Sequence, residues 1–453
     1  MDEFDTIIIG SGIGGLAIGA MLVSRNPAHK VLILEKNSGV GGRLFSYEKQ
    51  GFKLDIGAHV FSRSNKGPIG EILRLLGKEE SVEFTHVRPT ASYRGKTFLF
   101  PRGLQDILSE KDFERLMAIF NTMMNLTPPQ VEELDEMDLC SYVQRFTDNG
   151  LINACIDNIC MVYLVVPYHL ASTGEFIRCF QAEGSTRASG YPLGGCGAVA
   201  RAIADGITEK GGVIETNAKV DKIMIENSEA KGVVVAGKSY AANTVISNAD
   251  TRHTMIDLVG EQHLDEGYLA RVKSLEYSYS ALVVRLALDK VLADWKLITY
   301  IGSDDPMARY NAFKAGRVPN DLNVFLPVPS NFAPDVAPEG KQLLTLATAV
   351  PFGFQDSEGL KDALLDVAQG FIPNIRKHIM WMDVTTPSDI NRFVGEDGAV
   401  IGVAQNIRQS GKNRPNITTP IRGLYLCGAE AGGWGVGAEL AVESAKSVSA
   451  LIP

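Results

Sequence analysis

Thr6-Ile7-Ile8-Ile9 is a short, almost wholly apolar run, the pattern of a strand covered on both faces in a parallel sheet. Gly10-Ser11-Gly12-Ile13-Gly14-Gly15 follows without a gap, and apolar positions at helical spacing continue over 16–24. Val31-Leu32-Ile33-Leu34 is a second buried-strand run, closed by Glu35. Strand, glycine turn, helix and strand together predict a βαβ unit at the head of the chain. A related pattern closes the chain: 423–428 reads as a strand into a glycine turn, 429–437 as a glycine-rich loop and 437–451 as a helix. Between these ends lie two inserts of different character. The first, 86–190, is mainly helical by periodicity, over 104–124 and 132–159. The second, 271–384, carries apolar runs at 281–288 and 343–349 that suit strands of a mixed sheet.

Gly10, Gly12 and Gly15 fit G-x-G-x-x-G. The first permits the tight strand-to-helix turn, the second lets backbone approach a pyrophosphate, and the third lets helix and sheet pack closely. The helix start offers free N–H groups and a positive dipole end to phosphate, which adds Ile13 and Gly14 to the contact candidates. Glu35 lies 20 residues beyond Gly15, the spacing at which an acid meets a ribose diol. These residues predict a dinucleotide site and leave NAD and FAD both open.

Composition narrows the partners. The net charge of −9 argues against nucleic acid, whose binding needs a basic surface. The acidic start, Met1-Asp-Glu-Phe-Asp, lacks the charged n-region of a signal peptide. Six cysteines stand in no C-x-x-C or zinc-type spacing, so buried free thiols in a reducing cytoplasm are expected and no metal site is predicted. The longest apolar stretch, 156–166, carries Asp157 and Asn158 and stops at Pro167. It is too short to span a bilayer and reads as a core helix, with a peripheral membrane contact as the alternative. Gly194-Gly195-Cys196-Gly197 opens a further helix. It has no evident buried strand before it and is not read as a second dinucleotide site.

Four further stretches carry a family resemblance that favours FAD over NAD. Gly39-Val40-Gly41-Gly42-Arg43 follows the acid, and Asp55-Ile56-Gly57-Ala58-His59 closes the next apolar run. Ser247-Asn248-Ala249-Asp250 ends an inner strand, and Leu424-Tyr425-Leu426-Cys427-Gly428 leads into the loop with Glu430, Trp434, Gly435 and Val436. Together they resemble the phytoene desaturase and flavin amine oxidase superfamily. The resemblance implies an α/β fold: a Rossmann-type FAD-binding domain from 1–85, 191–270 and 385–453, and a discontinuous α+β substrate domain from 86–190 and 271–384. It also implies FAD contacts at Gly10, Gly12, Ile13, Gly14, Gly15, Glu35, Lys36, Gly42, Arg43, Gly57, Ala58, His59, Val220, Gly428, Glu430, Gly435 and Val436. The loop with Glu430 and Trp434 departs from the desaturase pattern and leans toward the amine oxidases.

The expected chemistry is hydride abstraction from a hydrophobic isoprenoid- or polyene-like molecule held against the flavin. The alternatives are amine oxidation at a C–N bond and isomerisation or saturation at a C=C bond. His59 and Trp434 are the catalytic candidates. Arg43 is expected on cofactor phosphate or fixing its own turn, and Asp55 on nearby backbone N–H groups. Tyr163, Tyr168 and His169 flank Pro167 and are candidates for a channel wall or for plain packing.

Overall fold

The computed structural model describes residues 2–57 and 60–453. The expected catalytic candidate His59 and its neighbour Ala58 lie outside the described residues.

The opening run forms the strand Asp2–Ile9, longer than predicted, and the helix Ile13–Arg25 follows directly from the glycine turn. Gly10 has φ +92°, a left-handed backbone that a side chain would strain. A Cβ on Gly15 would fall on the Gly10 carbonyl oxygen, so helix and strand can lie this close only with glycine there. Five strands run parallel in the order Val213–Glu215, Val31–Leu34, Asp2–Ile9, Lys238–Ser247 and Leu424–Leu426. Val31–Leu34 is buried throughout, as a strand covered on both faces must be. The first half of Lys238–Ser247 also pairs antiparallel with Glu229–Val235, and that strand pairs with Val220–Glu226. The chain's two ends meet here: Ile13–Arg25 packs on the last helix, Ala438–Ser449.

The second sheet has seven strands in the order Ile379–Thr385, Ser280–Leu288, Gln342–Val350, Val324–Pro327, Leu297–Ile301, Thr90–Tyr93 and Lys96–Leu99. The last two come from the first insert, which the periodicity had made mainly helical. Ser280–Leu288 is buried at every position because both its faces are covered. Leu282, Val284 and Leu286 meet Leu360, Leu364 and Leu365 of the helix Ser357–Phe371, while Ala281 and Val283 point the other way, into a cavity. The period of two along a strand produces this division. The remainder of the first insert is helical, including Glu110–Asn125, Gly150–Tyr163 and Thr173–Thr186, around a core of its own. Among the described residues, no helix is long and apolar enough to cross a membrane.

Candidate active site

One cavity of about 810 Å³ runs from the glycine turn to the second sheet, toward the upper end of the ~300–1,000 Å³ typical of small-molecule sites. Gly10, Gly12, Ile13 and Gly14 border it, as do Glu35, Lys36, Gly42, Arg43, Gly57, Val220, Glu430 and Val436. Gly15 and Gly428 do not; they act by letting backbone pack behind the cradle. A Cβ on Gly14 would lie 2.8 Å from the Gly428 Cα and on top of the Asn248 side chain. Asn248 is therefore wedged where the first turn meets the last strand, and it borders the cavity too. The helix Ile13–Arg25 starts with no side-chain cap, which leaves its first N–H groups for a ligand. Ala438–Ser449 likewise starts uncapped, and Gly437 and Ala438 border the same chamber.

Glu35 is buried and already placed. Its carboxylate accepts from the Ser11 N–H (2.9 Å), the Ser11 hydroxyl (2.7 Å) and the Asn37 N–H (2.8 Å). Lys36 beside it has its pKa lowered by burial, with Glu35 opposing. Arg43 reaches across the fold to pair with Glu396 and donates to the Ala399 carbonyl at 3.1 Å. Burial pulls its pKa down, and the carboxylates of Glu430 and Asp250 resist the shift.

Glu430 is the most perturbed acid of the site. It is 3% exposed, receives the Thr251 N–H at 3.4 Å, and its Oε1 has no partner. Burial, then the Asp250 charge, push its pKa up to about 8, against the pull of Arg43. Asp250 is held by the His253 N–H at 2.8 Å and the Tyr277 hydroxyl at 2.9 Å. Two uncapped helix starts fit a polar, phosphate-bearing group at this end.

The other end is apolar. Met161, Val162 and Val165 come from the first insert. Ala281, Val283, Phe325, Ala347 and Ala349 come from the second sheet, and Ile390, Val394, Val400 and Ile401 from the segment that follows it, which also brings Glu396 and Asp397 to the cavity wall. The inserts contribute one charged residue to the cavity, Arg309; the carboxylates bordering it among the described residues all lie elsewhere in the chain.

Several expected residues stand away from this cavity. Trp434, a catalytic candidate, does not border it; its ring lies 5.9 Å from the Arg63 guanidinium, which also pairs with Glu439. Gly435 turns its carbonyl to Gln405. Tyr163, Tyr168 and His169 do not border it, and the His169 ring packs on Tyr310 at 5.0 Å. Asp55 does bond backbone, but at long range: it accepts from the Cys196 N–H at 2.9 Å, with Ser46 and Tyr191 on its oxygens. That carboxylate occupies the start of the helix Cys196–Glu209. The expectation that no buried strand precedes this helix is corrected, since Gly190–Pro192 is a buried strand, but it pairs antiparallel with Phe84–His86, outside the parallel sheet. Sequence reasoning gave no site role to Asn248, Asp250, Glu396 or Arg309. Only the run Ser247 to Asp250 carried a local signal, as a polar group closing an apolar strand.

An uncapped dinucleotide-type cradle opening onto an apolar arm is the layout of an oxidoreductase that holds a nucleotide cofactor beside a hydrophobic substrate, and the family match makes that cofactor a flavin. Residues 13–453 match the model of flavin containing amine oxidoreductase, and the chain belongs to that family. It is 26% identical to the chloroplastic prolycopene isomerase of Daucus carota, over 94% of this chain and 76% of that one. It is 23% identical to a lycopene-forming phytoene desaturase of Pseudescherichia vulneris, over 99% and 98%. Its fold is that of an oxidoreductase from Methanosarcina mazei, with TM-score 0.79 and 22% identity over 98% and 99% of the two chains.

Proposed function

We propose that this chain binds FAD in the cradle and removes hydride from a hydrophobic isoprenoid- or polyene-like substrate lying in the apolar arm. The supporting observation is the continuity of the two regions in one cavity, with the carboxylates absent from the part lined by the inserts among the described residues. Gly10, Gly12, Ile13 and Gly14 would hold the pyrophosphate, Glu35 the adenosine ribose, and Val220 the adenine. Arg43 and Glu430 would border the middle of the cofactor. When bound, the flavin supplies a two-electron acceptor.

The protein's own part is placement and exclusion. Met161, Val165, Ala349 and Ile401 would press the hydrocarbon toward the cradle and keep water out. Loss of hydride would leave a cation whose neighbouring carbon releases a proton to bulk solvent as the double bond closes; the neutral hydrocarbon has no acidic proton for a base to take in advance, so orientation carries more of the burden than acid–base chemistry. The carboxyl of Glu430, raised to about 8, is protonated at neutral pH and leaves no negative charge next to the cofactor's anionic groups. Two relatives bear the names of an isomerase and a desaturase, and C=C isomerisation is the second reading supported by the same arm.

Cofactor identity is tested by acid release and mass measurement; a mononucleotide flavin would overturn the FAD assignment. Substrate class is tested by anaerobic mixing with separate panels of isoprenoids and amines. Loss of the oxidised flavin band with isoprenoids alone is expected. Bleaching by amines alone would overturn the reading, and altered double-bond geometry without bleaching would favour isomerisation.

A further inference from the structure

The apolar arm has one polar corner. It is built from the helix Gly150–Tyr163, the strand Leu297–Ile301, the helix Pro306–Lys314, the approach to Val324–Pro327 and the strand Gln342–Val350. None of these segments belongs to the nucleotide cradle. Asn158, Thr299, Arg309, Tyr310, Asn323 and Thr348 all border the cavity here.

Two of them carry unused donors. Arg309 is 5% exposed. Its Nη2 pairs with Asp157 and its guanidinium lies 4.9 Å from the Tyr310 ring centre, yet its Nη1 has no partner. Asp157 is fully buried and engaged by Arg309, the Tyr310 hydroxyl and the Tyr168 N–H. Asn323 is fixed by accepting the Gly302 N–H at 3.2 Å on Oδ1, while the Thr348 hydroxyl donates to its backbone carbonyl at 2.8 Å. This orientation leaves its Nδ2 as a donor, also without a partner. Buried donors ordinarily find acceptors, and both residues are held in place by their other bonds. Burial opposes the Arg309 charge, but Asp157 beside it more than compensates and raises its pKa.

We infer that Arg309 and Asn323 form a receptor for a carboxylate or carbonyl oxygen at one end of an otherwise apolar, polyene-type substrate. The inference rests on the reading of the arm as the substrate chamber. It makes the preferred substrate an oxygenated isoprenoid chain rather than a bare hydrocarbon. The Arg309–Asp157 pair is internally neutral, so recognition comes from directed N–H donation rather than from net charge.

The test uses the flavin-loaded enzyme and two probes with one carbon skeleton: retinoic acid and axerophtene, its hydrocarbon counterpart. Equilibrium dialysis in matched detergent gives a Kd for each. The wild type should hold the acid on the order of tenfold more tightly, the effect of one good bond to a charged group. Asp157→Asn with Arg309→Met, which removes the pair without leaving a buried lone charge, should abolish the preference and leave axerophtene binding unchanged. Asn323→Asp keeps the Gly302 bond, replaces the donor by an acceptor and should reduce the preference on its own. If axerophtene binds and the acid binds no better, the receptor is wrong and the hydrocarbon chamber stands. If the preference survives both variants, the receptor is likewise wrong. If neither probe binds the wild type, the chamber reading fails with it.

Discussion

Replacing Glu430 by Gln should remove a pH dependence of stability whose sign is opposite to that of a salt-bridged acid. The carboxyl is buried beside Asp250, and its pKa rises from the ordinary 4.5 to about 8. The folded protein therefore holds a proton that the unfolded chain has released. Between the two pKa values the folded state binds more protons, so stability is greatest at low pH and falls as pH rises toward 8. At one proton and roughly 1.4 kcal/mol per pH unit, the contribution falls by on the order of 2 kcal/mol between pH 6 and pH 8. Urea unfolding of flavin-free wild type and Glu430→Gln at both pH values reads the titration of the Glu430–Asp250 pair, because the titrations elsewhere in the protein are common to both. The wild type should lose about 2 kcal/mol relative to the variant between pH 6 and pH 8. A stability difference that does not change with pH would refute the buried, protonated carboxyl.

Three further outcomes follow from the same geometry. Gly14→Ala puts a Cβ 2.8 Å from the Gly428 Cα and 3.2 Å from its nitrogen; the overpacking should cost about 1–3 kcal/mol, and an unchanged Tm with full flavin content would contradict the close contact. Glu35→Ala should weaken flavin binding by about 1–3 kcal/mol, because Ser11 and a ribose hydroxyl lose their common acceptor; a titration of apoprotein with FAD showing no change would count against the ribose contact. Asp157→Ala strands the buried Arg309 and should destabilise the fold by about 3–5 kcal/mol in denaturant unfolding. A loss below about 1 kcal/mol would show that the pair is not buried as described.

The opening unit was legible because each of its parts is local. Ile7 to Ile9, the glycines to Gly15, and Val31 to Leu34 adopt the strand, turn and strand that their own pattern requires. The last strand and helix were legible for the same reason. What escaped the sequence was pairing across distance. Arg43 pairs with Glu396, 353 positions away, and no neighbouring residue signals that. Asn248 matters because Gly12, Gly14 and Gly428 converge on it, which only the parallel sheet brings about. Trp434 was expected to be catalytic from its loop's resemblance to the amine oxidases, yet its ring stands with Arg63 and does not border the cavity. The strands Thr90–Tyr93 and Lys96–Leu99 lie within a helical insert and are strands because Leu297–Ile301 offers them an edge. Arg309 carries no pattern of its own; it becomes a candidate only once Asp157 has fixed one side of its guanidinium.

The most direct measurement is a single anaerobic turnover. Oxidised, flavin-loaded enzyme is mixed with a polyene substrate in the absence of any other acceptor, and flavin and polyene absorbance are followed together. One new double bond per flavin reduced, with both changes at the same rate, is the predicted result. A flavin that stays oxidised while the polyene is unchanged, across hydrocarbon and carboxylate chains alike, would contradict the proposal that the cradle and the apolar arm form one reaction chamber.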